Sequence, residues 1–599
     1  MRKIASKLQQ ALSLAACPLR LNGAFFVFMY VLGCLCSWIT TTTQPYDGLY
    51  AELFVDLTLI SVVLALIPRK VRTWVRRLIY LIFYATAICD VYCFVKYDST
   101  LSPTILMLVG ETDSREAGEF LTTVLDPSVL LTPLGWIVLL MLVHLIFATR
   151  RWWGRKWLPR LRPSLSVDRW QPIAGALVIV LFIVSWSVCA ANKKRVHDLM
   201  TAPTIGKVEH LLTKRPQAEL YEPVYRLAFS LYSNHLANQQ VDQLIQAADK
   251  VRVDSCSFRS PRIVLIIGES FGPHHSQQYG YRMPTTPRQL RREQRGELYR
   301  FTDVIAPWNL TSYVFKNVFS LHVVGQEGEW CDYPLFPEVF RKAGYHVTFL
   351  TNQFLPKAKE EVYDFSGGFF LNNPTLSKEQ FDVRNDSLHQ FDEGLLRDYE
   401  HLRRYNTGHD LIIFHLLGQH MTYRDRFPKD RAHFDQRDYI SWRPELNSHG
   451  RTYLASYDNA VLYNDSIVDQ IVKFFEKDNA IVIYMPDHGE ECFEENRNFC
   501  CRHHSQRIDY KLAKYEFLVP FWIWCSPTYR QQHPDIVTAI KAARNRRFMT
   551  DALPHLLLYL AGISTPDYHP EYNLISPQYD EMRPRILKGY CDYDKLKKE

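Results

Sequence analysis

The sequence predicts a membrane-anchored protein that joins five transmembrane helices to a C-terminal α/β domain with a central, mainly parallel sheet. Two observations lead to this fold class. Long apolar segments are concentrated before residue 192, and from residue 258 short apolar runs alternate with helical patterns. At 599 residues the chain is several times the usual domain size of roughly 100 to 200 residues, so more than one hydrophobic core is expected. The predicted parts are a transmembrane domain (1–191), a bridging linker (192–257) and an external domain (258–599).

Five segments are long and apolar enough to cross a bilayer as helices, which takes about 20 residues. Each could instead be a buried helix of a soluble core, and the first could be a cleavable signal. Five such segments in a row, separated by short charged loops, favour membrane spans. No small-residue cleavage site follows the first segment, which predicts that it is retained. The five segments are residues 22–40, 50–68, 76–95, 127–148 and 172–191.

The orientation follows from the loops that carry Lys and Arg. Basic residues precede the first span and lie between the second and third and between the fourth and fifth, whereas the loops 41–49 and 96–126 are nearly free of them. This pattern predicts a cytoplasmic N-terminus, with everything after residue 191 outside. The formal net charge of +7 is therefore mostly a topology signal, and no nucleic-acid partner is expected.

Seven of the thirteen cysteines lie after residue 191, where an oxidising compartment would permit disulfides. Seven is an odd number, and the sequence does not reveal which of them pair. No C-x-x-C spacing is present, which argues against a cysteine zinc knuckle.

The linker 192–257 carries amphipathic patches, typical either of a segment on the membrane surface or of an ordinary helical connection. From residue 258 onward, continuous apolar runs of strand length indicate a sheet that is covered on both faces. A helix is predicted over residues 453–477, because apolar residues recur there at helical spacing. The predicted strands are 262–268, 346–352, 410–418, 480–486 and 518–525.

Polar side chains follow three of these strands. Glu269 comes after one strand, His420 after another, and Asp487 with His488 after a third. Ligands of α/β proteins gather at the carboxyl ends of the strands, so we expect a cation site there. Carboxylate and imidazole ligands together suit zinc or manganese better than magnesium. The alternative for each residue alone is a structural turn or core position.

A candidate nucleophile lies in the segment APWNLTSYVFKNVFS (306–320). Thr311 and Ser312 precede a run of apolar residues, which predicts a hydroxyl at the N-terminal end of a helix. Backbone N–H groups and the helix dipole favour an approaching phosphate at such a position. A structural role for Thr311 is the alternative.

Several motifs taken together resemble the phosphoethanolamine transferases of the alkaline phosphatase and sulfatase superfamily, whose lipid A-modifying members confer polymyxin resistance. The motifs are IGES and, downstream, YGYRMPTTP (279–287), FTDVIAP (301–307), LLGQH (416–420), YDNAVLYNDSIVDQI (457–471) and MPDHGEE (485–491). Five spans followed by an external domain also match that family. The resemblance implies a sulfatase-like catalytic domain in the periplasm and an anchor in the bacterial inner membrane.

The resemblance further implies a zinc ion held by Glu269, Thr311, Asp487 and His488, with Thr311 as the nucleophile. Thr311 would take phosphoethanolamine from phosphatidylethanolamine, and lipid A or lipopolysaccharide core would then accept it. His420 and either His503 or His504, of which His504 is preferred, would surround the bound phosphoethanolamine. Thr112 and Glu116, in a loop before the fourth span, would help to hold the donor lipid; a solvated acidic turn is the alternative for that loop.

Other functions remain open at this point. The relatives carry cysteines where this chain has Pro307 and Asn317, so their disulfide framework is not carried over. A glycerol phosphate transferase, a sulfatase-like hydrolase and a catalytically silent envelope scaffold are the alternatives. The C/S-x-P-x-R context of sulfatases is missing around Thr311, and retention of all four ligand residues argues against a silent scaffold.

Overall fold

A computed structural model describes most of the chain: residues 2–41, 44–97, 100–103, 106, 131–153, 167–213, 216–353, 355, 369–496, 500–502 and 508–597. The chain forms two compact units, Met1–Leu236 and Ala237–Glu599. The predicted division at residues 191 and 257 stays a prediction.

The first unit is helical. Three of its helices are long and apolar enough to cross a membrane (Leu49–Leu66, Arg69–Val95 and Trp170–Met200), and two shorter helices are also apolar (Gly23–Ile39 and Leu134–Thr149). Helices therefore lie at all five predicted segments, but only three of the described helices meet the length and hydropathy of a span. The helices that begin in this unit are α1 Arg2–Ala15, α2 Cys17–Leu21, α3 Gly23–Ile39, α4 Leu49–Leu66, α5 Arg69–Tyr97, α6 Leu134–Trp153, α7 Val167–Met200, α8 Ile205–Thr213 and α9 Pro223–Lys250.

Charged side chains are buried inside this unit in pairs. Lys193 of α7 contacts Glu52 at 3.1 Å and Asp56 at 2.5 Å, both on α4. Arg226 of α9 pairs with Asp90 of α5, which is fully buried. A charge removed from water is tolerated only beside a partner, so these pairs tie α4, α5, α7 and α9 together.

The second unit is an α/β domain whose helices and strands alternate along the chain. Its helices are α10 Pro287–Gln294, α11 Thr311–Phe319, α12 Phe336–Lys342, α13 Phe369–Asn372, α14 Pro374–Gln380, α15 Glu393–Leu402, α16 Ser448–Phe474, α17 Tyr510–Glu516, α18 Pro527–Gln532, α19 Pro534–Ala543, α20 Leu553–Ala561 and α21 Tyr593–Leu596. Its strands are β1 Ser255–Cys256, β2 Arg262–Gly268, β3 Leu298–Phe301, β4 Asp303–Ile305, β5 His346–Thr351, β6 Val383–Arg384, β7 Asp410–His415, β8 Ala480–Pro486, β9 Glu491–Cys492, β10 Cys500–Cys501, β11 Phe521–Cys525, β12 Arg547–Met549, β13 Ile563–Ser564, β14 Ile586–Leu587 and β15 Cys591–Asp592.

The main sheet has seven strands in the order β3-β11-β8-β2-β7-β5-β6. Strand β11 is antiparallel to both of its neighbours, and the other four pairings are parallel. The mainly parallel sheet predicted from sequence is therefore confirmed. Every residue of β7 and β8 is buried, because helices cover both faces of the sheet, and this explains the apolar runs 411–414 and Ala480–Pro486.

Helix α16 covers one face of the sheet centre. Its residues Leu454, Val461 and Val468 belong to the same buried cluster as Val264 of β2 and Ile412 of β7. Each such aliphatic side chain stabilises the fold by roughly 1.5 to 3 kcal/mol through burial. This core makes the ends of β2, β7 and β8 a rigid platform.

Candidate metal centre

Three side chains that could bind a metal ion follow the adjacent parallel strands β2 and β8, at one edge of the sheet. Gly268, the last residue of β2, lies opposite Pro486, the last residue of β8, so Glu269 and Asp487 leave the sheet side by side. The backbone holds them in register beyond the strands, because Asp487 N–H donates to the Gly268 carbonyl at 3.0 Å and Phe271 N–H to the His488 carbonyl at 2.9 Å.

The side chains of Glu269, Asp487 and His488 converge there. His488 Nε2 lies 3.1 Å from Asp487 Oδ2 and 3.4 Å from Glu269 Oε1. One potential ligand atom from each residue lies within 4.8 Å of the other two, and all three residues are buried. Within the part of the chain that the structure describes, this is the one group of three or more His, Cys, Asp or Glu side chains so arranged.

Thr311 reaches the same point from a different element. Its Oγ1 lies 3.3 Å from Glu269 Oε2 and 3.3 Å from His488 Nε2. Thr311 is the first residue of α11, and the buried side chains of Val314, Phe315 and Val318 anchor that helix. N–H groups in the first turn of a helix have no carbonyl partner within it, so the Thr311 hydroxyl lies beside a place suited to an anion.

Hydrogen bonds orient the carboxylates. Ser270 Oγ donates to Glu269 Oε1 at 2.6 Å, and Gln353 Nε2 donates to Glu269 Oε2 at 3.1 Å. Asp487 Oδ1 accepts from the backbone N–H groups of Ser270 and His488, at 3.1 and 2.8 Å. Ser270 itself has a positive φ of 53°, a conformation that costs energy for a non-glycine residue. Both carboxylates are thus held in one orientation.

The His488 ring is oriented by its own backbone neighbour. Nδ1 lies 2.9 Å from the Gly489 carbonyl, which can only accept, so Nδ1 carries the hydrogen. A metal ion bound by this ring would therefore take Nε2, the nitrogen that faces the carboxylates. Histidines that bind metals usually have this arrangement.

The charges of the cluster act strongly on one another. Burial alone would raise the pKa of Glu269, but the hydrogen bond and charge of His488, together with the charges of His420 and Arg502, hold it well below its usual range. Burial and the charge of Arg502 would lower the pKa of His488, but Asp487 and Glu269 raise it to about 10. Burial and the charge of Glu269 raise the pKa of Asp487. The pocket therefore favours positive charge between the two carboxylates.

Comparison with known proteins places this arrangement in a family. The sulfatase family model matches residues 261–563, which is about half of the chain and includes Glu269, Thr311, Asp487 and His488. The chain belongs to the sulfatase family. The phosphoethanolamine transferase EptC of Escherichia coli strain K12 is 25% identical to it over 563 residues, which cover 91% of this chain and 90% of that protein. The phosphoethanolamine transferase CptA of Salmonella typhimurium is also 25% identical, with the same coverage.

Among solved structures, the C-terminal periplasmic domain of EptC from Escherichia coli is similar to this chain. The sequence identity is 24% and the TM-score is 0.49, and the match covers 58% of this chain and 96% of that one.

The residues of this sulfatase-family chain fit a divalent metal ion. Asp487 Oδ2 is buried, and His488 Nε2 lies 3.1 Å from it. Two carboxylates, one imidazole nitrogen and one hydroxyl form a mixed oxygen and nitrogen donor set, and zinc accepts such ligands. Gly418, with φ of +50°, packs against the backbone of Glu269, because a Cβ at that position would lie 3.0 Å from the Glu269 nitrogen.

Arg502 is a candidate functional residue that the sequence analysis missed. Its Nη1 donates to His488 Nε2 at 2.6 Å and to the Asn309 carbonyl at 3.1 Å, and its Nε lies 3.3 Å from Glu490 Oε2. A cation bound at His488 Nε2 would compete with this guanidinium for the same nitrogen. The only sequence signal was its position between the cysteine pair and the two histidines of CCRHHSQ.

Of the other predicted site residues, the structure describes only His420. His420 lies beyond the end of β7, the strand next to β2, and its charge reaches Glu269. His503, His504, Thr112 and Glu116 lie outside the described residues, so their roles stay predictions. The structure thus brings together the four residues Glu269, Thr311, Asp487 and His488.

Proposed function

We propose that this enzyme transfers phosphoethanolamine from phosphatidylethanolamine to lipid A or lipopolysaccharide core, through a phosphoethanolamine-threonine intermediate on Thr311. The observation that carries the proposal is the Thr311 hydroxyl, at a helix N-terminus and 3.3 Å from both Glu269 and His488. The names of relatives that are similar over 91% of the chain support the transferred group. A further relative, 31% identical over 189 residues, is named Kdo(2)-lipid A phosphoethanolamine 7''-transferase, which supports the acceptor class.

In the first step Thr311 Oγ1 attacks the phosphorus of the donor. The bond between phosphorus and the diacylglycerol oxygen breaks, and diacylglycerol leaves as its alcohol after taking up a proton. Glu269 Oε2, 3.3 Å from the hydroxyl, accepts the hydrogen of Thr311. Zinc, held by Glu269, Thr311, Asp487 and His488, would supply the positive charge that favours the threonine alkoxide.

The phosphoryl oxygens need charge neutralisation more than covalent help. Two features of this chain provide it. The N–H groups at the start of α11 have no carbonyl partner within the helix and favour an anion beside Thr311. The side chain of Arg502 is largely buried, and a cation fixed in a water-poor pocket acts more strongly than an exposed one.

In the second step a phosphate or hydroxyl oxygen of the acceptor attacks the same phosphorus, and the bond to Thr311 Oγ1 breaks. The threonine regains its proton and the enzyme returns to its starting state. His420 and either His503 or His504, with His504 preferred, are proposed to surround the bound group. Thr112 and Glu116 are proposed to hold the donor, with the Glu116 carboxylate facing the ethanolamine ammonium.

We place the chain in the bacterial inner membrane with its second unit in the periplasm. The three long apolar helices, together with the shorter apolar helices Gly23–Ile39 and Leu134–Thr149, are proposed as five crossings. This arrangement would keep the catalytic unit beside its lipid donor. Addition of an ethanolamine amine would reduce the negative charge of the outer surface and thereby weaken the attraction for cationic peptides such as polymyxin.

The test is mass spectrometry of the full-length protein, purified in detergent with zinc and incubated with phosphatidylethanolamine. We expect a phosphoethanolamine adduct on Thr311 and release of diacylglycerol, both absent from Thr311→Ala. Ser312→Ala, which removes the neighbouring hydroxyl, is the matched control and should form the adduct.

Three results would contradict the proposal. An adduct on Ser312 would exclude Thr311 as the nucleophile. An adduct formed from phosphatidylglycerol in place of phosphatidylethanolamine would make the chain a glycerol phosphate transferase. Steady release of free phosphoethanolamine without any acceptor would indicate a hydrolase.

A further inference from the structure

Two cysteines face each other a short distance beyond the metal-ligating residues. Strands β9 and β10 form a two-stranded antiparallel ladder in which Cys492 lies directly opposite Cys500. Their Sγ atoms are 2.9 Å apart. Residues directly opposite in an antiparallel pair have Cα atoms about 4.5 to 5.5 Å apart, and disulfides join Cα atoms about 4.4 to 6.8 Å apart. The backbone therefore already has the geometry that a disulfide requires.

We propose that Cys492 and Cys500 form a disulfide in the native protein. Each thiol loses one hydrogen and the two sulfurs bond, while a disulfide of a periplasmic thiol-oxidising protein, or oxidised glutathione, accepts the two electrons and two protons as a pair of thiols. This step needs an oxidising compartment, which is where the proposed topology places the second unit.

Cys501, the residue after Cys500, is the alternative partner for Cys492, but the strand pairing disfavours it. Cys501 pairs with Glu491 and not with Cys492, and successive side chains of a strand point to opposite faces. A metal site is the other alternative for a group of cysteines. Among the described residues, however, no cysteine belongs to a group of three or more side chains that could hold a metal ion.

The disulfide would link the two parts of the chain that reach the metal centre. Cys492 follows His488 by four residues, and Arg502 follows Cys500 by two. Arg502 Nη1 contacts His488 Nε2 at 2.6 Å, so the covalent link would limit how far the guanidinium can move from the site. Arg502 would thereby be positioned by a cross-link as well as by its ion pair with Glu490.

Three described residues in and beside β9 and β10 have backbone conformations that are costly to order. Phe493, Glu495 and Cys501 have positive φ angles of 63°, 49° and 101°, which non-glycine residues rarely adopt. A disulfide reduces the freedom of the unfolded chain and so offsets the cost of ordering such a segment.

Peptide mapping without reductant tests the proposal on the protein as purified. The full-length protein is treated with N-ethylmaleimide, unfolded and digested with trypsin. Cleavage at Arg and Lys places Cys492 in residues 478–497 and both Cys500 and Cys501 in residues 498–502. We expect these two peptides to be linked, with one maleimide on the shorter peptide. Recovery of both peptides unlinked, with every cysteine alkylated, would overturn the proposal.

Variants decide which of the adjacent cysteines is the partner. Cys501→Ser should keep the linked peptides, and Cys500→Ser should lose them. The reverse pattern would identify Cys501 as the partner and would also overturn the proposal. The test uses no lipid donor, so its outcome is independent of the proposed transferase function.

Thermal unfolding measures what the link contributes. A phosphine reductant should lower the unfolding midpoint of the wild-type protein and of Cys501→Ser by about 5 °C. It should not change the midpoint of the double variant Cys492→Ser, Cys500→Ser. An equal response of the double variant would mean that the reductant acts on another cysteine pair.

Discussion

The Thr311 hydroxyl lies 3.3 Å from Nε2 of His488, although 177 residues separate them along the chain. The contact joins the first residue of α11 to the second residue after β8, where the chain leaves the sheet. Each residue alone is of a common type, and the chemistry comes from their proximity.

Replacement of Thr311 by serine should preserve the reaction in part. Serine keeps the attacking oxygen but loses the methyl group that restricts the side-chain rotamers, so we expect a slower transfer and an adduct on residue 311. Thr311→Ala should reduce transfer by at least about 10³-fold. Single-turnover release of diacylglycerol measures both rates. Equal rates for the alanine and serine variants would exclude an attacking role for this oxygen.

Removal of the Asp487 charge should weaken metal binding. In Asp487→Asn the amide oxygen can still accept the N–H groups of Ser270 and His488, but the buried anion is lost. We expect zinc affinity to fall by about 10². Zinc content after dialysis against a zinc buffer is the measurement.

Asp465→Asn is the matched control for that variant. Asp465 is also fully buried and also accepts two backbone N–H groups, those of Arg288 and Gln289. It is not part of the metal-capable group. Its variant should keep the wild-type zinc content, and an equal loss in both variants would show that the effect is a general loss of folding.

Arg502 should act on transfer and on metal binding in opposite directions. Arg502→Met removes a positive charge that lies 2.6 Å from His488 Nε2, so zinc affinity should rise or stay constant. Transfer should fall about 10²-fold, because the phosphoryl oxygens lose a fixed counter-charge. Arg502→Lys should recover part of the rate. A merely structural role for Arg502 would instead lower zinc content and transfer together.

A buried histidine apart from the metal centre predicts how stability depends on pH. His275 Nδ1 lies 2.8 Å from Asp458 and Nε2 lies 2.7 Å from Glu494. Burial alone would lower the pKa of His275, but these carboxylates raise it from the usual 6.5 to about 10. The protonated ring therefore stabilises the fold fully below about pH 6.5, and this contribution is lost as the pH rises toward 10.

The measurement is the free energy of unfolding of the wild type and of His275→Gln between pH 6 and pH 10. The wild type should be more stable by roughly 2 to 5 kcal/mol near neutral pH, and the difference should narrow as the pH rises. His389→Gln is the control, since His389 pairs with Asp398 at a partly exposed position, where an ion pair contributes little. A difference that widened with pH would contradict the assignment of charge to His275.

The strands could be predicted from the sequence because their surroundings are uniform. Strands β2, β7 and β8 are buried on both faces, and burial on both faces favours apolar residues at most positions. The predicted strand 410–418 extends beyond β7, which ends at His415, because Leu416 and Leu417 stay apolar after the ladder pairing stops. Apolar character alone does not reveal where pairing ends.

The site could be predicted only in part. Glu269, Asp487 and His488 follow strands whose carboxyl ends share one edge, so their proximity follows from a general property of parallel sheets. Gln353 and Arg502 contact the same centre, but they come from loops whose paths depend on packing. Neither residue belongs to a periodic pattern, and the only local signal for Arg502 is its position in CCRHHSQ.

By itself the sequence determined the two parts of the protein, apolar helices followed by an α/β domain. It also determined the strand ends at which the metal-capable residues lie. These features depend on local composition and on spacing along the chain. Only the tertiary structure decided that Arg502 reaches His488 and that Cys492 lies opposite Cys500. Such contacts depend on strand register and on loop paths, which the whole packed domain selects together and which no short stretch of sequence specifies.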